Sequence, residues 1–376
     1  MQRGGFVNQG DVKGPVLIIG TGLIGTSIAL GLRALGFSVY LDDPSPTTLA
    51  LTVDMGAGLA WDSSAPMPEL VIVAAPPDVC AQQVTDALQR FPDAIVTDVA
   101  SVKQAIADDV CQSGSDSKRY VGSHPMAGRA RSGAAFADKD LFYGRPWVIV
   151  PTEQSTQEAV MIVRNLAIDL GAVPTQMDAH DHDTAVAYVS HVPQLVSSLL
   201  AARLLGAPSH ALSLAGQGLR DTTRIAQSDP RLWTAIVAGN AGPIAAILHD
   251  LEDDLADAVE RLEQYSQGSQ VGAIGVISDI VAAGNRGVSR IPGKHGQAQR
   301  SWAEIEVLVP DRPGELGRLF TELGQAEVNI EDLTLEHAAG KKYGLARVQI
   351  DPASILTATE ELEKRGWRVI SVGESK

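Results

Sequence analysis

The segment GSHPMAG, which begins at Gly122, contains the histidine best suited in this sequence to transfer a proton. A histidine beside a bound cofactor can act as a general base because its pKa lies near neutrality. Glycines bound the segment on both sides, so we expect His124 to lie in a loop at the end of a strand. The alternative is a solvated loop histidine with no role in chemistry.

A second polar segment, TDVASVK, ends at Lys103 and follows another apolar run. In open α/β sheets, ligands gather at the carboxyl ends of the strands. Ser101 and Lys103 would stand at such a strand end and are therefore candidates for a site. The alternative is that these two residues cap the helix that follows.

The segment GLRDTTRIAQSDPRLW, which begins at Gly218, contains a pair of arginines with helical spacing. Arg220 and Arg224 are four residues apart and would share one face of a helix, with Ser228 one turn further along. Because a guanidinium can bind a carboxylate through two hydrogen bonds, the pair suits a dicarboxylate. The alternative is an ion pair between Asp221 and one of the arginines.

The dipeptide Asp229-Pro230 has the form of a helix start, with aspartate as the N-cap and proline as the first helical residue. An N-cap carboxylate can also face a ligand. The capping role and a binding role of Asp229 are therefore not exclusive.

The histidines of the apolar helical region do not have the spacing of a metal site. His191 lies within an apolar run, where a histidine is more often a buried structural residue. Nine residues separate it from His182, which is two and a half turns of α-helix, so we expect the two side chains to point in opposite directions. No histidine pair four residues apart and no group of cysteines accompanies them, and we predict no metal.

A glycine-rich turn must hold any cofactor near these residues. The stretch VLIIGTGLIGTS places Gly20, Gly22 and Gly25 between an apolar run and a predicted helix. This G-x-G-x-x-G arrangement is typical of a dinucleotide site, where the glycines allow a tight turn, close approach of the pyrophosphate and close packing of helix on strand. Leu23 and Ile24 belong to the same turn.

The second predicted strand ends in Asp42 and Asp43, where an acceptor for the ribose 2′-hydroxyl belongs. This acidic end favours NAD over NADP, and of the two aspartates we favour Asp43 for the ribose. The alternative is a loop-capping role for either aspartate. Pro76, which follows the third apolar run, is predicted to contribute to cofactor binding as well.

Strand-like runs alternate with helical patterns up to about residue 150, which predicts an α/β Rossmann-type doubly wound sheet that is mostly parallel. Long alanine- and leucine-rich runs follow, at 185–205, 232–248 and 251–267, and predict an all-α dimerisation domain. Glycine and basic residues near 284–296 indicate a linker. The predicted strands of the first region are 16–19, 38–41, 70–75, 94–97, 120–122 and 147–150.

After residue 301 the order of predicted elements is β-α-β-β-α-β, a ferredoxin-like α+β arrangement. The domains predicted from these patterns are a disordered leader at 1–14, a Rossmann domain at 15–176, a helical domain at 177–284, a linker at 285–300 and a C-terminal domain at 301–376.

Composition narrows the class of protein. The chain has 376 residues, a formal charge of −15 and a pI near 4.9, which argues against nucleic acid as a partner. Two cysteines give no disulfide framework, and we recognise no secretion signal and no membrane span, so we expect a cytoplasmic protein. An anionic substrate must then be bound by local arginines.

These motifs in this order, G-x-G-x-x-G, TDVASVK, GSHPMAG, Ser190-His191-x-Pro and RDTTRIAQSDPRLW, resemble the prephenate/arogenate dehydrogenase family of tyrosine biosynthesis. The resemblance covers residues from about 16 to 285. It implies NAD-dependent oxidation of prephenate or arogenate with loss of carbon dioxide.

The resemblance also implies roles for individual residues. His124 would accept the proton of the substrate's ring hydroxyl while C4 passes a hydride to the nicotinamide, and Ser101 would orient His124. Arg224 would bind a substrate carboxylate, and His191 would contact the substrate. Ser228 and Trp233 match positions that line the pocket.

The chain departs from some relatives after the HPxAG motif, where Arg129 stands in place of a threonine that is followed by a glutamate. The chain has Ala130 where those relatives have the glutamate that builds a polar network, and Arg129 is a candidate to meet a carboxylate instead. Asp229 bears on the substrate, because a carboxylate in the pocket would pair with the ammonium of arogenate, whereas prephenate carries a keto group. It favours arogenate or dual use, with capping as the alternative.

Residues 302–376 separately resemble an ACT regulatory domain, with the turn DRPGEL as the matching motif. The resemblance implies an aromatic amino acid, tyrosine or phenylalanine, bound at Pro313, Gly314 and Leu316 between paired copies. This implies feedback control, and the apolar helical domain separately makes a homodimer the expected assembly. A purely structural C-terminal domain is the alternative.

Two other functions fit part of the pattern. A β-hydroxyacid-type dehydrogenase would carry a catalytic lysine in its helical domain, but residues 178–283 contain no lysine. A non-catalytic sensor of NAD and an amino acid would leave His124 and the arginines without a task.

Overall fold

The structure is a computed structural model that describes residues 14–128, 133–267, 273–292, 302–337 and 343–374. The chain divides into two compact units, one up to Asp253 and one from Asp254 onward. The boundary falls inside the segment predicted as the helical domain. The predicted domain limits therefore remain predictions.

The first unit is built on an eight-stranded sheet with the order β3-β2-β1-β4-β5-β6-β7-β8. All neighbouring strands run parallel except β6 and β7, which are antiparallel. The six predicted strands are present, and the short edge strands β3 and β8 were missed. The strands are β1 Val16–Ile19, β2 Val39–Asp42, β3 Leu59–Ala60, β4 Leu70–Val73, β5 Ile95–Asp98, β6 Tyr120–Pro125, β7 Pro146–Pro151 and β8 Val173–Gln176.

Helices cover both faces of this sheet. β4 is buried along its whole length, as expected for a central parallel strand covered on two sides. One core lies around Ile18 and Ile28, and the other around Leu17 and Val84. The helices that precede β8 are α1 Leu23–Ala34, α2 Pro46–Asp54, α3 Pro77–Arg90, α4 Gln104–Gln112 and α5 Gln157–Asp169.

Between β8 and β9 the described residues form helices and short helical turns, but two of the predicted runs are interrupted. A π-turn at Ala187–His191 divides the run 185–205, and the run 232–248 breaks at Asn240 with a bend of 93°. The helices are α6 Ala179–Val186, α7 Val192–Arg203, α8 Ser209–Leu212, α9 Gln217–Thr223, α10 Pro230–Gly239, α11 Ala241–Ser266 and α12 Ala273–Val288. Helix α12 overlaps the predicted linker, which therefore starts no earlier than residue 289.

The helical stretch Ala179–Gly206 is long and apolar enough to cross a membrane. Within it, His182, Asp183 and His191 are buried and hydrogen-bonded to other parts of the first unit. A lipid-facing helix would not bury such groups against a protein core, so the side of this stretch that carries them packs against the rest of the first unit.

The second unit contains a four-stranded antiparallel sheet with the order β10-β11-β9-β12. Alternate residues of β9 are buried against two helices, which gives this sheet one core face. The predicted β-α-β-β-α-β order is confirmed. Its elements are β9 Ala303–Pro310, α13 Glu315–Gln325, β10 Ile330–His337, β11 Tyr343–Ile350, α14 Ile355–Lys364 and β12 Arg368–Glu374. The predicted leader up to residue 13 and the segment 293–300 lie outside the described residues.

Candidate active site

The turn between β1 and α1 has the shape that a dinucleotide needs. Gly20 has φ +95°, which only glycine adopts readily, and a Cβ on Gly25 would lie 2.0 Å from the carbonyl oxygen of Gly20. A Cβ on Gly22 would meet nothing within 4 Å, because this residue faces open space at the N-terminus of α1. The outer glycines are thus required by the fold, whereas Gly22 leaves room for a pyrophosphate. Leu23 and Ile24 form the first turn of α1.

The acidic end of β2 holds the same turn in place. Both the backbone nitrogen and the hydroxyl of Thr21 donate to Asp43 Oδ2, at 2.7 and 2.8 Å, and the backbone nitrogen of Ser45 donates to Oδ1 at 2.9 Å. Asp42 instead forms an ion pair with Arg90, at 3.7 Å. Asp43 therefore has the loop-capping role that was given as the alternative to ribose binding. Pro76 is the N-cap residue of α3, at the carboxyl end of neighbouring β4.

A buried charged cluster closes the end of β5. The Asp98 carboxylate accepts hydrogen bonds from the Lys103 ammonium, from the Tyr120 hydroxyl at 2.7 Å and from the backbone nitrogen of Ala100 at 2.9 Å. Burial and the neighbouring Asp98 raise the pKa of Tyr120 well above its usual range. These bonds fix the chain after β5 against β6, the strand that carries His124.

His124 is the fifth residue of β6. The strand was predicted to end at residue 122, so the prediction that His124 lies in a loop is wrong. Its Nδ1 lies 2.9 Å from Nε2 of His182 on α6, and its side chain is half-buried. Burial, followed by the positive charges that His182, Lys103 and His191 could carry, lowers the pKa of His124 well below its usual range. The ring is therefore neutral at pH 7 and able to accept a proton.

The start of α4 is capped by a residue that the sequence did not indicate. The backbone nitrogens of Lys103 and Gln104 donate to the two carboxylate oxygens of Asp183, at 2.8 and 2.9 Å. Neither predicted cap acts as one: Lys103 points to Asp98, and among the described residues Ser101 has no hydrogen-bond partner. Orientation of His124 by Ser101 therefore stays a prediction.

His191 lies on the same side as His182, and the prediction that they point apart is wrong. That prediction assumed an unbroken α-helix, whereas the π-turn widens the helix just before His191. The amide nitrogen of Asn240 lies 2.7 Å from the carbonyl oxygen of Asp183 and 3.0 Å from Nδ1 of His191. His191 is 1% exposed, which lowers its pKa to about 4, and its ring meets the edge of Trp233.

The two candidate arginines are exposed and carry no ion pair in the described part of the chain. Arg220 lies in α9, and Arg224 begins a short 3-10 turn directly after it, so the predicted single helix ends between them. Asp221 accepts from Gln217 at 2.8 Å and pairs with neither arginine. Both guanidinium groups are thus available to an anion.

Asp229 is the N-cap of α10, and its carboxylate accepts from the backbone nitrogen of Arg231 at 2.9 Å. The predicted capping role is confirmed. Ser228 donates to the Ile225 carbonyl oxygen and reaches Gln194 on α7, at 2.8 and 3.3 Å. The substrate roles of Ser228, Trp233 and Asp229 remain predictions, and Arg129 lies outside the described residues.

The turn proposed for an effector is formed as the sequence suggests. Gly314 is the N-cap of α13 with φ +90°, and Pro313 beside it is exposed. Leu316 packs against the core of the C-terminal sheet. The structure thus explains the glycine, while the binding of an amino acid stays a prediction.

Three residues of this network were not selected from the sequence: His182, Asp183 and Asn240. An unbroken α-helix would place His182 and His191 on opposite faces, so the sequence offered no reason to group His182-Asp183 with His191. A polar Asn240 between Gly239 and Ala241 was a signal for a helix break, since asparagine and glycine favour helix ends. Within the described residues, no group of three His, Cys, Asp or Glu side chains could hold a metal ion.

A nucleotide-binding α/β unit followed by helices that place histidines against its sheet defines a dehydrogenase of the two-domain type. Two family models match the chain: the prephenate dehydrogenase nucleotide-binding domain over residues 28–175, and the prephenate dehydrogenase dimerization domain over residues 178–270. A probable prephenate dehydrogenase, NovF of Streptomyces niveus, is 34% identical over 355 residues, which is 93% of this chain and 98% of that protein. This chain therefore belongs to the prephenate dehydrogenase family.

Other relatives agree with this membership. Prephenate dehydrogenase of Bacillus subtilis is 31% identical over 254 residues, covering 62% of this chain and 66% of that protein. The structure of prephenate dehydrogenase from A. aeolicus with hydroxyphenyl propionate and NAD+ is similar with a TM-score of 0.63 and 27% identity, over 73% of this chain and 98% of that one. Synechocystis arogenate dehydrogenase gives a TM-score of 0.59 and 28% identity, over 72% and 99%.

Proposed function

We propose that this enzyme oxidises prephenate, arogenate or both with NAD, releasing carbon dioxide, and that His124 accepts the proton of the substrate hydroxyl. Membership of the family gives the reaction class. The observation that supports the residue assignment is a half-buried imidazole with a lowered pKa at the end of β6, beside the strand ends where a cofactor belongs. Its neutral form is ready to accept a proton.

The chemistry of the substrate explains why one base is sufficient. When bound, NAD accepts the hydride that leaves C4. Loss of the hydroxyl proton to His124 leaves a ketone at C4, which is conjugated through the ring to the carbon that carries the carboxylate. That carboxylate departs as carbon dioxide, and the electrons of the broken bond complete an aromatic ring. Aromatisation makes the step effectively irreversible.

The remaining residues bind rather than react. Arg224, with Arg220 nearby in the chain, is proposed to bind a substrate carboxylate, because both guanidinium groups are exposed and lack an ion pair among the described residues. Gly20, Gly22 and Gly25 would receive the pyrophosphate of NAD at the start of α1, and Asp43 or Asp42 its ribose. Ser228 and Trp233 are proposed to line the pocket, and the cytoplasmic location stays part of the proposal.

The test is NADH formation by the purified protein with NAD and with prephenate or arogenate in parallel. Turnover should occur with one or both, and His124→Asn should lower kcat by about 100-fold or more, as loss of a general base does. An unchanged melting temperature of His124→Asn serves as the folding control. If the wild-type protein formed no reduced cofactor with either substrate, whether NAD or NADP was supplied, the non-catalytic sensor function would be the better explanation.

The choice between the two substrates is proposed to depend on Asp229. Asparagine is as good an N-cap as aspartate, so Asp229→Asn keeps the cap of α10 and removes only the charge. If the carboxylate meets the ammonium of arogenate, the ratio of kcat/KM for arogenate to that for prephenate should fall by about 10-fold, the typical value of one charged hydrogen bond. An unchanged ratio contradicts the role.

The C-terminal unit is proposed to regulate the enzyme as an ACT-like domain. Tyrosine or phenylalanine would bind at the turn of Pro313, Gly314 and Leu316, where the left-handed glycine exposes the start of α13. Titration with each amino acid should change both activity and melting temperature, with alanine as the control ligand. Flat titrations with both aromatic amino acids would assign the domain a structural role.

A further inference from the structure

A chain of hydrogen bonds leads away from His124 into the protein. Nδ1 of His124 lies 2.9 Å from Nε2 of His182, and Nδ1 of His182 lies 2.8 Å from a carboxylate oxygen of Asp183. The His182 and Asp183 side chains are 1% and 3% exposed, so water does not compete for these bonds. The chain connects a strand of the sheet with the first helix that follows β8.

The order of donors and acceptors in this chain is determined by its buried end. An ionised carboxylate can only accept, so the proton of neutral His182 lies on Nδ1, facing Asp183. Nε2 of His182 then has a lone pair and accepts a hydrogen bond from the N–H at Nδ1 of His124. The remaining nitrogen of His124, Nε2, is left without a proton, which is the form that a hydrogen-bond acceptor requires.

The end of the chain is held rigidly. The Asp183 carboxylate also accepts hydrogen bonds from the backbone nitrogens of Lys103 and Gln104. The main-chain carbonyl oxygen of Asp183 accepts a hydrogen bond from the side-chain amide of Asn240. These bonds attach α6 to the start of α4 and to the helix break after α10. The carboxylate therefore cannot turn away from His182 without losing its two hydrogen bonds from the start of α4.

We propose that His182 and Asp183 are positioning residues that fix the tautomer and ring orientation of His124, so that its Nε2 accepts the proton of the substrate hydroxyl. The proposal rests on the proposed function, in which His124 is the proton acceptor. When His124 becomes positively charged, the buried carboxylate at the far end of the chain stabilises that charge through His182. Loss of His182 should therefore slow the reaction more than it weakens substrate binding.

Two substitutions at position 182 separate this role from a packing role. His182→Leu keeps bulk and removes the acceptor, whereas His182→Gln can place an amide oxygen near the former Nε2. We expect His182→Leu to lower kcat by about 10- to 100-fold with KM changed less than about threefold, and His182→Gln to recover kcat to within about threefold of wild type. His180→Leu, at an exposed position of α6, is the matched control and should keep wild-type kcat.

The tautomer itself can be read without turnover. In ¹⁵N NMR spectra of labelled protein, assigned by comparison with His124→Asn, the wild-type His124 should carry its proton on Nδ1. His182→Leu should show a mixture of tautomers. If the wild-type protein turned over neither substrate, the proposed function would fail, while this spectrum would still test the hydrogen-bond chain.

The proposal requires kcat and the tautomer of His124 to change together. It is overturned if wild-type His124 carries its proton on Nε2, or if His182→Leu has wild-type kcat. It is also overturned if either variant loses the Nδ1 tautomer and keeps its rate, or keeps that tautomer and loses its rate. Should the leucine variant fail to fold, the glutamine variant carries the same comparison.

Discussion

His124 and His191 are both kept neutral by burial, which links the chemistry of the site to its stability in acid. His124 must be neutral to act as the proposed proton acceptor. His191 must be neutral because its Nδ1 lies 3.0 Å from a hydrogen-bond donor, the amide nitrogen of Asn240. Protonation of His191 at Nδ1 would place its N–H against the N–H of the Asn240 amide. The hydrogen bond that joins the π-turn to the end of α10 would then be lost.

We predict that the free energy of unfolding falls as pH is lowered from about 6.5 to about 4. Burial lowers the pKa of His191 from 6.5 in the unfolded chain to about 4 in the folded one. The unfolded state therefore binds more protons in this interval, so stability is fully present above pH 6.5 and is lost as the pH approaches 4. The contribution of His191 is at most about 3 kcal/mol.

Urea unfolding of wild type and His191→Asn across this pH range tests the prediction. Asparagine can offer an amide oxygen to Asn240 but does not titrate, so the variant should be less stable at pH 7 and have a shallower pH dependence. His180→Asn, an exposed histidine, should keep the wild-type slope. Equal slopes for wild type and His191→Asn would show that the acid sensitivity lies elsewhere.

At the scale of elements, the β1–α1 turn contains glycines that the fold needs and one glycine, Gly22, that is proposed to meet the cofactor. A Cβ at Gly25 collides with backbone, whereas a Cβ at Gly22 meets open space. We predict that Gly25→Ala lowers the melting temperature by more than about 5 °C, since a forced backbone shift costs more than about 1 kcal/mol. Gly22→Ala should melt like wild type and yet bind NAD at least about 10-fold more weakly.

Isothermal titration with NAD and thermal melts of both variants check this pair. Each variant controls for the other, because the same methyl group is added three residues apart in one turn. If Gly22→Ala bound NAD as tightly as wild type, the pyrophosphate would not approach at this residue.

Most of the elements could be predicted from the sequence, because apolar periodicity and glycine turns are local signals. The strands around β4 and the order of the C-terminal unit follow from such signals. The network beneath His124 could not be predicted in the same way. It depends on the phase change at the π-turn and on the bend at Asn240, and both of these are stabilised by contacts between residues distant in sequence.

The candidate site shows the same division between local and distant signals. The G-x-G-x-x-G turn, His124 and the Asp229 cap are each recognisable within a few residues. Asp183 is not, because its carboxylate caps a helix that lies about eighty residues earlier in the chain. Local cap signals therefore pointed to Ser101 and Lys103, and tertiary structure supplied a different cap.

At the scale of the whole molecule, the long helix α11 has an apolar face that is exposed in the part of the chain that the structure describes. Leu251, Leu255, Val259 and Leu262 recur at intervals of three or four residues and are 41, 63, 47 and 55% exposed. This spacing forms one stripe along a helix and is typical of a helix that packs against another helix. The dimerization-domain model matches the chain up to residue 270 and so includes the stripe.

We predict that this stripe is part of the contact between two subunits and that Leu255→Glu weakens the dimer. Placing a carboxylate in an apolar interface leaves a charge without solvent, which costs several kcal/mol and raises the dimer dissociation constant by about 100-fold or more. Sedimentation equilibrium of wild type and variant measures the change. Glu260→Gln on the same helix is the control, because its side chain lies off the stripe.

The activity of Leu255→Glu also shows whether the stripe joins the two subunits or binds another partner. If the subunits support each other's helical segments, Leu255→Glu should lose dimer and activity together, and activity should return at high protein concentration as the dimer re-forms by mass action. A variant that sediments as a dimer at the wild-type dissociation constant would show that the subunits meet elsewhere, and the stripe would then need another partner.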